Sequence, residues 1–490
     1  VYDYERDLKT HNVISPVSGK ILNYNNWLKI ITNPKIKNMQ RKIRFENNTY
    51  IESSFRNFIS SFQNYISQES MDIIFKKFVN SNIEFDSEYV DSLFYGISQN
   101  SQLNDVSNQE IEYLIFKYGY DMQSDRAGTI CEIIEKKQDT KWSNDIFNLL
   151  IDIALHHENS SINNAEEKNL NIYDLETNTL NCVRGKAILA IGHLLWDCNK
   201  YAFDFFKNTL EILSSNESQV IKYSLLWALW PSYNIEKEWT VKIIMKLFKE
   251  NSVFLGFRDS RFILCNCYND YKNDIDHSII LGINSNDERL NRKCGYAIAE
   301  LHMIFDAYSD ILSIYESVNK TVKRSILEMI IVYVSVDKLR KKAISLLNKM
   351  IELENDKDLA FIWSKLLRKD LIKYPEDKIL IKKILMSKIN KHLLDVFYDY
   401  LSRNGGIINF ADIIIGMSYA IINEETKQDN YVWRLDTKIS RLIIGLYDEA
   451  TSNKTSKYKD IANKCLDIWD LMYEKNLSIA RTLANQIMNI

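Results

Sequence analysis

Glycine and proline are scarce: 490 residues hold 13 of one and 4 of the other, where average usage is about 7% and 5%. A β-sandwich, a barrel or a doubly wound sheet needs many turns, and these two residues make most of them. What remains is an all-helical chain. Cysteine is sparse too. The seven (Cys131, Cys182, Cys198, Cys265, Cys267, Cys294, Cys465) are odd in number and scattered, which speaks against a disulfide framework and for a reducing, cytoplasmic compartment. No apolar run reaches the roughly 18 residues that cross a bilayer, and the opening VYDYERDLKT has no signal-peptide core, so no membrane association is expected. Neither sign of charge dominates: Lys+Arg 62 against Asp+Glu 65 leaves −3. Without a basic surplus or any long run of like charge, the electrostatic footprint of a nucleic-acid binder is missing. The chain starts at Val1 and not at Met, which reads as a processed product or a piece of something longer.

At about 150 residues per domain, the length fits three domains or one elongated repeat array. Apolar residues recur at helical spacing, as in Phe55, Phe58, Ile59 and Phe62, where i, i+3, i+4, i+7 builds one stripe on one face. Short helices separated by Asn, Asp and Ser breaks read as stacked α-hairpins. A polar turn followed by an aliphatic residue, a base and small or apolar positions recurs at Val183, Val220, Leu290 and Val322, with a weaker instance at Phe257. The steps are 37, 37, 33 and 32 residues, as in paired-helix solenoids of HEAT type. Each hairpin there completes its core only against its neighbours. The expected organisation is an irregular lead-in over 1–50 with one short helix at 26–31, a helical block over 51–156 and a polar loop over 157–180. A HEAT-like array over 181–370 and a helical cap over 371–490 follow. A second polar connection is expected at 423–438.

Chemistry-bearing constellations are few. His156-His157-Glu158 is the densest group of metal-ligand types, but adjacent helical residues point about 100° apart, and HExxH is absent; a polar helix end is the favoured reading. Cys265-x-Cys267, with Cys294 further on, lacks the second Cys pair or the His pair of a structural zinc site, since His277 and His302 fall at no matching spacing, and buried packing is the favoured reading. Ser18-Gly19-Lys20 and Gly185-Lys186 lack the upstream glycine of a P-loop, and neither G-x-G-x-x-G nor G-x-S-x-G occurs. No enzyme activity, cofactor or metal is expected. The best contact candidates are aromatic. Trp227 and Trp230 share a helix face that Pro231 is expected to end, with Tyr233 beyond, although the many leucines around them also fit burial. Tyr173 lies in the 157–180 loop, and Tyr431 and Trp433 in the 423–438 connection. Arg184, Lys222, Arg292 and Arg324 occupy one place in the repeat; they form either a basic ladder or, as the favoured alternative, pairs with turn Asp or Asn residues.

Several segments, in order, resemble the C-terminal region of bacterial STAND-type NTPases of anti-phage defence, of the AVAST kind. VISPVSGKILNYNNWLKII (13 to 31) is similar to their "SPI…W-L" entry. Tyr89, Leu93, Gly96 and Ile97 resemble a "Y-x-x-x-L-x-G-I" line with one extra residue before the glycine, and LNCVRGKAILAIGHLLW (180 to 196) matches the family's "L-N-S-V-R-G-x-A" line, with Cys182 in place of Ser. NESQVIKYSLLWAL resembles the "D-x-x-x-V-R" line, with Asn216 for Asp and the base at Lys222, one residue later than the Arg, and INFADIIIGMSYAI and KCLDIWDLMYEK look like the closing region. The resemblance implies a sensor array that recognises a phage structural or packaging protein. The ATPase, the effector and oligomerisation would then lie in domains outside this chain. A free-standing HEAT-like scaffold for a host partner is the alternative. A DNA-glycosylase-type helical-repeat enzyme is a third reading, and the charge balance counts against it.

Overall fold

The computed structural model describes residues 22–33, 35, 42–46, 49–53, 55–119, 125–158, 170–196, 199–216, 218–404, 407–424, 432–452 and 456–475. The chain is all-α in class and divides into two compact units, Val1–Asp259 and Ser260–Ile490.

The first unit contains α1 (Tyr24–Ile31), a hairpin of β1 (Lys42–Glu46) and β2 (Thr49–Ser53), α2 (Phe55–Gln68), α3 (Met71–Ile74, running into a π-helical turn), α4 (Ser87–Ser98), α5 (Asn108–Tyr118), α6 (Arg126–Lys136), α7 (Asn144–His156), α8 (Ile172–Asn181), α9 (Val183–Leu194), α10 (Lys200–Ser214), α11 (Gln219–Ser232) and α12 (Lys237–Glu250). Helices α2, α4, α6, α9 and α11 pack side by side in one layer, while α7, α10 and α12 form a second. This is the stacking of an α-solenoid, and Phe62, Phe94, Phe147, Phe203 and Phe206 are fully buried in it.

The second unit repeats the plan with α13 (Ser260–Ile283), α14 (Glu288–Phe305), α15 (Ile311–Ser317), α16 (Lys320–Tyr333), α17 (Asp337–Leu353), α18 (Ala360–Arg368), α19 (Lys378–Leu385), α20 (Leu394–Arg403), α21 (Ala411–Glu424), α22 (Val432–Thr451) and α23 (Ser456–Glu474). One layer runs α13, α14, α16, α18, α20, α22, and the other α15, α17, α19, α21, α23. Helix α13 is kinked at Tyr271. The polar breaks cap helices as expected: Ser218, Asp287 and Asn319 each accept from backbone N–H groups in the first turn of α11, α14 and α16, contacts worth about 1 kcal/mol apiece.

Three expectations are corrected. The lead-in is not wholly irregular, because β1 and β2 pair antiparallel, Lys42 opposite Ser53 and Glu46 opposite Thr49; the short alternating run on either side of Asn47-Asn48 carries this. The 157–180 segment is a loop only in part. Ile172, Leu175 and Thr179 are buried along one side of α8, and the Asn171 side chain caps it. The polar connection at 423–438 is shorter than its composition suggests, since α21 extends to Glu424 and α22 begins at Val432.

Adjacent repeats are tied by cations reaching back to main-chain oxygens near the ends of preceding helices. Lys136 donates to Ser98 O (2.8 Å), Arg184 to Ala154 O (2.8 Å), Lys342 to His302 O (2.5 Å) and Arg403 to Leu367 O (2.9 Å). Partners lie 30 to 40 residues apart in sequence, so the repeat period is written into the hydrogen bonds. A positive group at a helix C-terminus satisfies an orphan carbonyl and opposes the macrodipole.

Candidate functional site

The Val183-Arg184-Gly185 line turns out to be a packing device. A Cβ on Gly185 would stand 2.3 Å from Thr179 O, and one on Gly192 2.7 Å from Trp227 O, so α9 lies backbone-close to α8 on one side and α11 on the other. Cys182 is the residue before α9 and makes no side-chain cap. Arg184 is taken up by Ala154 O.

Trp227, Trp230 and Tyr233 cluster at the end of α11, each half-buried. Pro231 does not stop this helix at Trp230; it sits inside the last turn, which runs to Ser232. The two tryptophans serve different neighbours. Trp227 meets Phe257 edge to face (5.5 Å between ring centroids), and the Arg258 guanidinium lies 4.2 Å from the Trp227 ring centre. Trp230 packs on Tyr233 at 5.6 Å, with Lys237 Nζ 5.5 Å from the Tyr233 ring. Trp227 Nε1 is buried without an acceptor among the described residues. Tyr173 is 58% exposed at the start of α8. Trp433 belongs to the first turn of α22, and Tyr431 lies outside the described residues.

At the repeated basic position the bonds go to a main-chain oxygen for Arg184 and to helix carboxylates for Lys222 and Arg324. Lys222 bonds Glu250 at 2.7 Å, and Arg324 lies 3.4 Å from Glu328 one turn along its own helix. Arg292 is exposed.

A second face, in the layer α14, α16, α18, escaped the sequence reading. Glu328 of α16 accepts from Tyr296 OH of α14 (2.7 Å) and from Lys365 Nζ of α18 (3.0 Å), so one carboxylate joins three helices. Burial pushes the Glu328 carboxyl up, but the bonds from Tyr296 and Lys365 outweigh it and hold the group below its ordinary value. Burial and Glu328 push the Tyr296 phenol up to about 12. Beside them, Glu300 of α14 accepts from Tyr333 OH (3.1 Å) and pairs with Arg261 Nε at 2.9 Å. Phe361 and Val332 are each 58% exposed. The available signal was the 32- and 37-residue separation of Tyr296, Glu328 and Lys365, close to the repeat steps. It was invisible without knowing which helix faces share a layer.

No family model matches the chain, and no curated protein matches it. A cleft of about 490 Å³ lies between the starts of α16 and the turn after α17, lined by Val318, Lys320, Lys323, Asn355, Asp356 and Lys357. Two of its three lysines are engaged: Lys320 with Asp358, and Lys323 5.2 Å from the Tyr315 ring. Beneath, the buried Glu354 accepts from Tyr315 OH, Trp363 Nε1 (3.3 Å) and the Asn355 and Asp356 amides (3.1 and 3.0 Å). Burial pushes the Cys265 thiol up to about 12 and the Cys131 and Cys294 thiols further, so these sulfurs are protonated packing groups rather than thiolates. His157 caps the end of α7, and among the described residues no three His, Cys, Asp or Glu side chains gather as metal ligands. No described helix is long and apolar enough to cross a membrane.

Proposed function

We propose that this chain is a non-catalytic recognition module, the sensor end of a cytoplasmic STAND-type defence NTPase. It binds a phage structural or packaging protein through side chains presented by stacked helices. The observation that carries the reading is the α14–α16–α18 face. Three successive helices of one layer contribute to a single hydrogen-bonded surface, set by stacking before any partner arrives. A preorganised surface loses little side-chain freedom on binding, and arginine and tryptophan, the types it and the α11 end display, carry binding energy best. The packing role of Gly185 fits a family line that specifies architecture, with the activity residing in other domains.

The test is co-purification of the tagged chain with singly expressed terminase, portal and capsid proteins. Stoichiometric retention of one of them is expected. Failure with all three overturns the sensor reading and leaves a scaffold for a host partner. The coding frame upstream of Val1 is a second check: it should contain G-x-x-x-x-G-K-[ST], and a start codon immediately before Val1 would remove the STAND assignment.

A further inference from the structure

The geometry points to the outward face of α14, α16 and α18 as a docking surface for an acidic, leucine-containing segment of the protein partner. This rests on the recognition reading and names the chemistry of what is recognised. Although the chain carries −3 overall, Arg261, Arg292, Arg324, Lys365 and Arg368 on and beside this face outnumber its acids, which are Glu288, one turn before Arg292, and the carboxylates of Glu300 and Glu328. Both carboxylates are already engaged, Glu328 by Tyr296, Lys365 and Arg324, and Glu300 by Arg261 and Tyr333. Arg292 and Arg368 are exposed and pair with no carboxylate among the described residues. At the edge Asp358 pairs with Lys320. The surplus is therefore positive, and the same helices expose two apolar side chains, Phe361 and Val332, with the Arg368 guanidinium 5.6 Å from the Phe361 ring centre.

Packed helices lie about 8–10 Å apart; Arg292 and Arg324 stand near the starts of α14 and α16, and Arg368 closes α18. Carboxylates three residues apart in an extended segment of polyproline II type recur on one edge about 9 Å apart, at roughly 3.1 Å per residue. Leucines between them would cover Phe361 and Val332. Glu300 and Glu328 favour a peptide over a nucleic acid: they can accept a peptide N–H, whereas a phosphodiester brings only negative charge to meet them.

The probe is a fluorescein-labelled peptide of twelve residues repeating Glu-Leu-Ser, followed by anisotropy with the whole chain at about 50 mM NaCl. Saturable binding is expected, weakened about tenfold or more near 300 mM NaCl and by the combined Arg292→Glu, Arg324→Glu and Arg368→Glu variant. Lys76→Ala, at an exposed position in the first unit, should leave it unchanged, and the Lys-Leu-Ser peptide should not bind. Absence of saturable binding up to about 1 mM peptide, or binding indifferent to the triple reversal, overturns the proposal. So does a single-stranded DNA twelve-mer that binds more tightly through the same arginines. Circular dichroism checks the fold of the triple variant; if it is lost, Arg292→Gln, Arg324→Gln and Arg368→Gln replace it. A phage bait captured equally by the triple variant sinks this surface and leaves the recognition reading standing. Peptide binding here without capture of any bait does the reverse.

Discussion

At the scale of single residues, Gly185 and Cys182 carry the clearest consequences. Gly185→Ala places a methyl group 2.3 Å from a backbone oxygen, which no rotamer can relieve, so α8 and α9 must part. A loss of about 1–3 kcal/mol is expected by urea denaturation. Cys182 precedes α9 without capping it, and Ser at that position can accept from an orphan N–H of the first turn. Cys182→Ser should therefore raise stability by about 0.5–1 kcal/mol, read from the same denaturation curves. Glu354→Gln replaces a buried acceptor that gathers four donors by an amide whose NH₂ faces some of them, and a loss of about 2 kcal/mol is expected.

Among helices, the bond from Glu328 to its neighbours makes the second unit acid-sensitive. The Glu328 pKa in the folded chain lies below its value in the unfolded one. Its contribution is thus complete above about pH 4.5 and is lost as pH falls through the folded value. Glu328→Gln should be less stable at neutral pH but lose less on acidification from about pH 5 to 3, visible as a flatter Tm-against-pH curve; parallel curves would contradict it. The helices and their caps were legible in the sequence because apolar spacing and residues such as Asp287 and Asn319 act locally. The repeat spacing was legible for the same reason. The Tyr296–Glu328–Lys365 face was not, since its members are ordinary surface types that become a unit only when three helices share a layer. Trp227 and Trp230 drew attention by residue type, yet adjacent turns send them to separate neighbours. Residues 172–181 looked like loop because a single narrow buried stripe suffices for a helix held from one side.

For the whole molecule, stacking in layers means that each helix answers mainly to its neighbours. Gly185→Ala should therefore speed amide exchange in α8, α9 and α11 while α16 and α18 keep their protection; uniform loss would indicate one cooperative block. The backward-reaching cations have a further use. Lys137, 2% exposed, donates to Leu103 O and Val106 O from inside the fold, whereas the side chain of Lys76 is 66% exposed. A brief pulse of an amine-acylating reagent would mark Lys76 at once and reach Lys137 only when its segment opens. The amine that fastens one repeat to the last is thereby also a built-in chemical clock for the moment they separate.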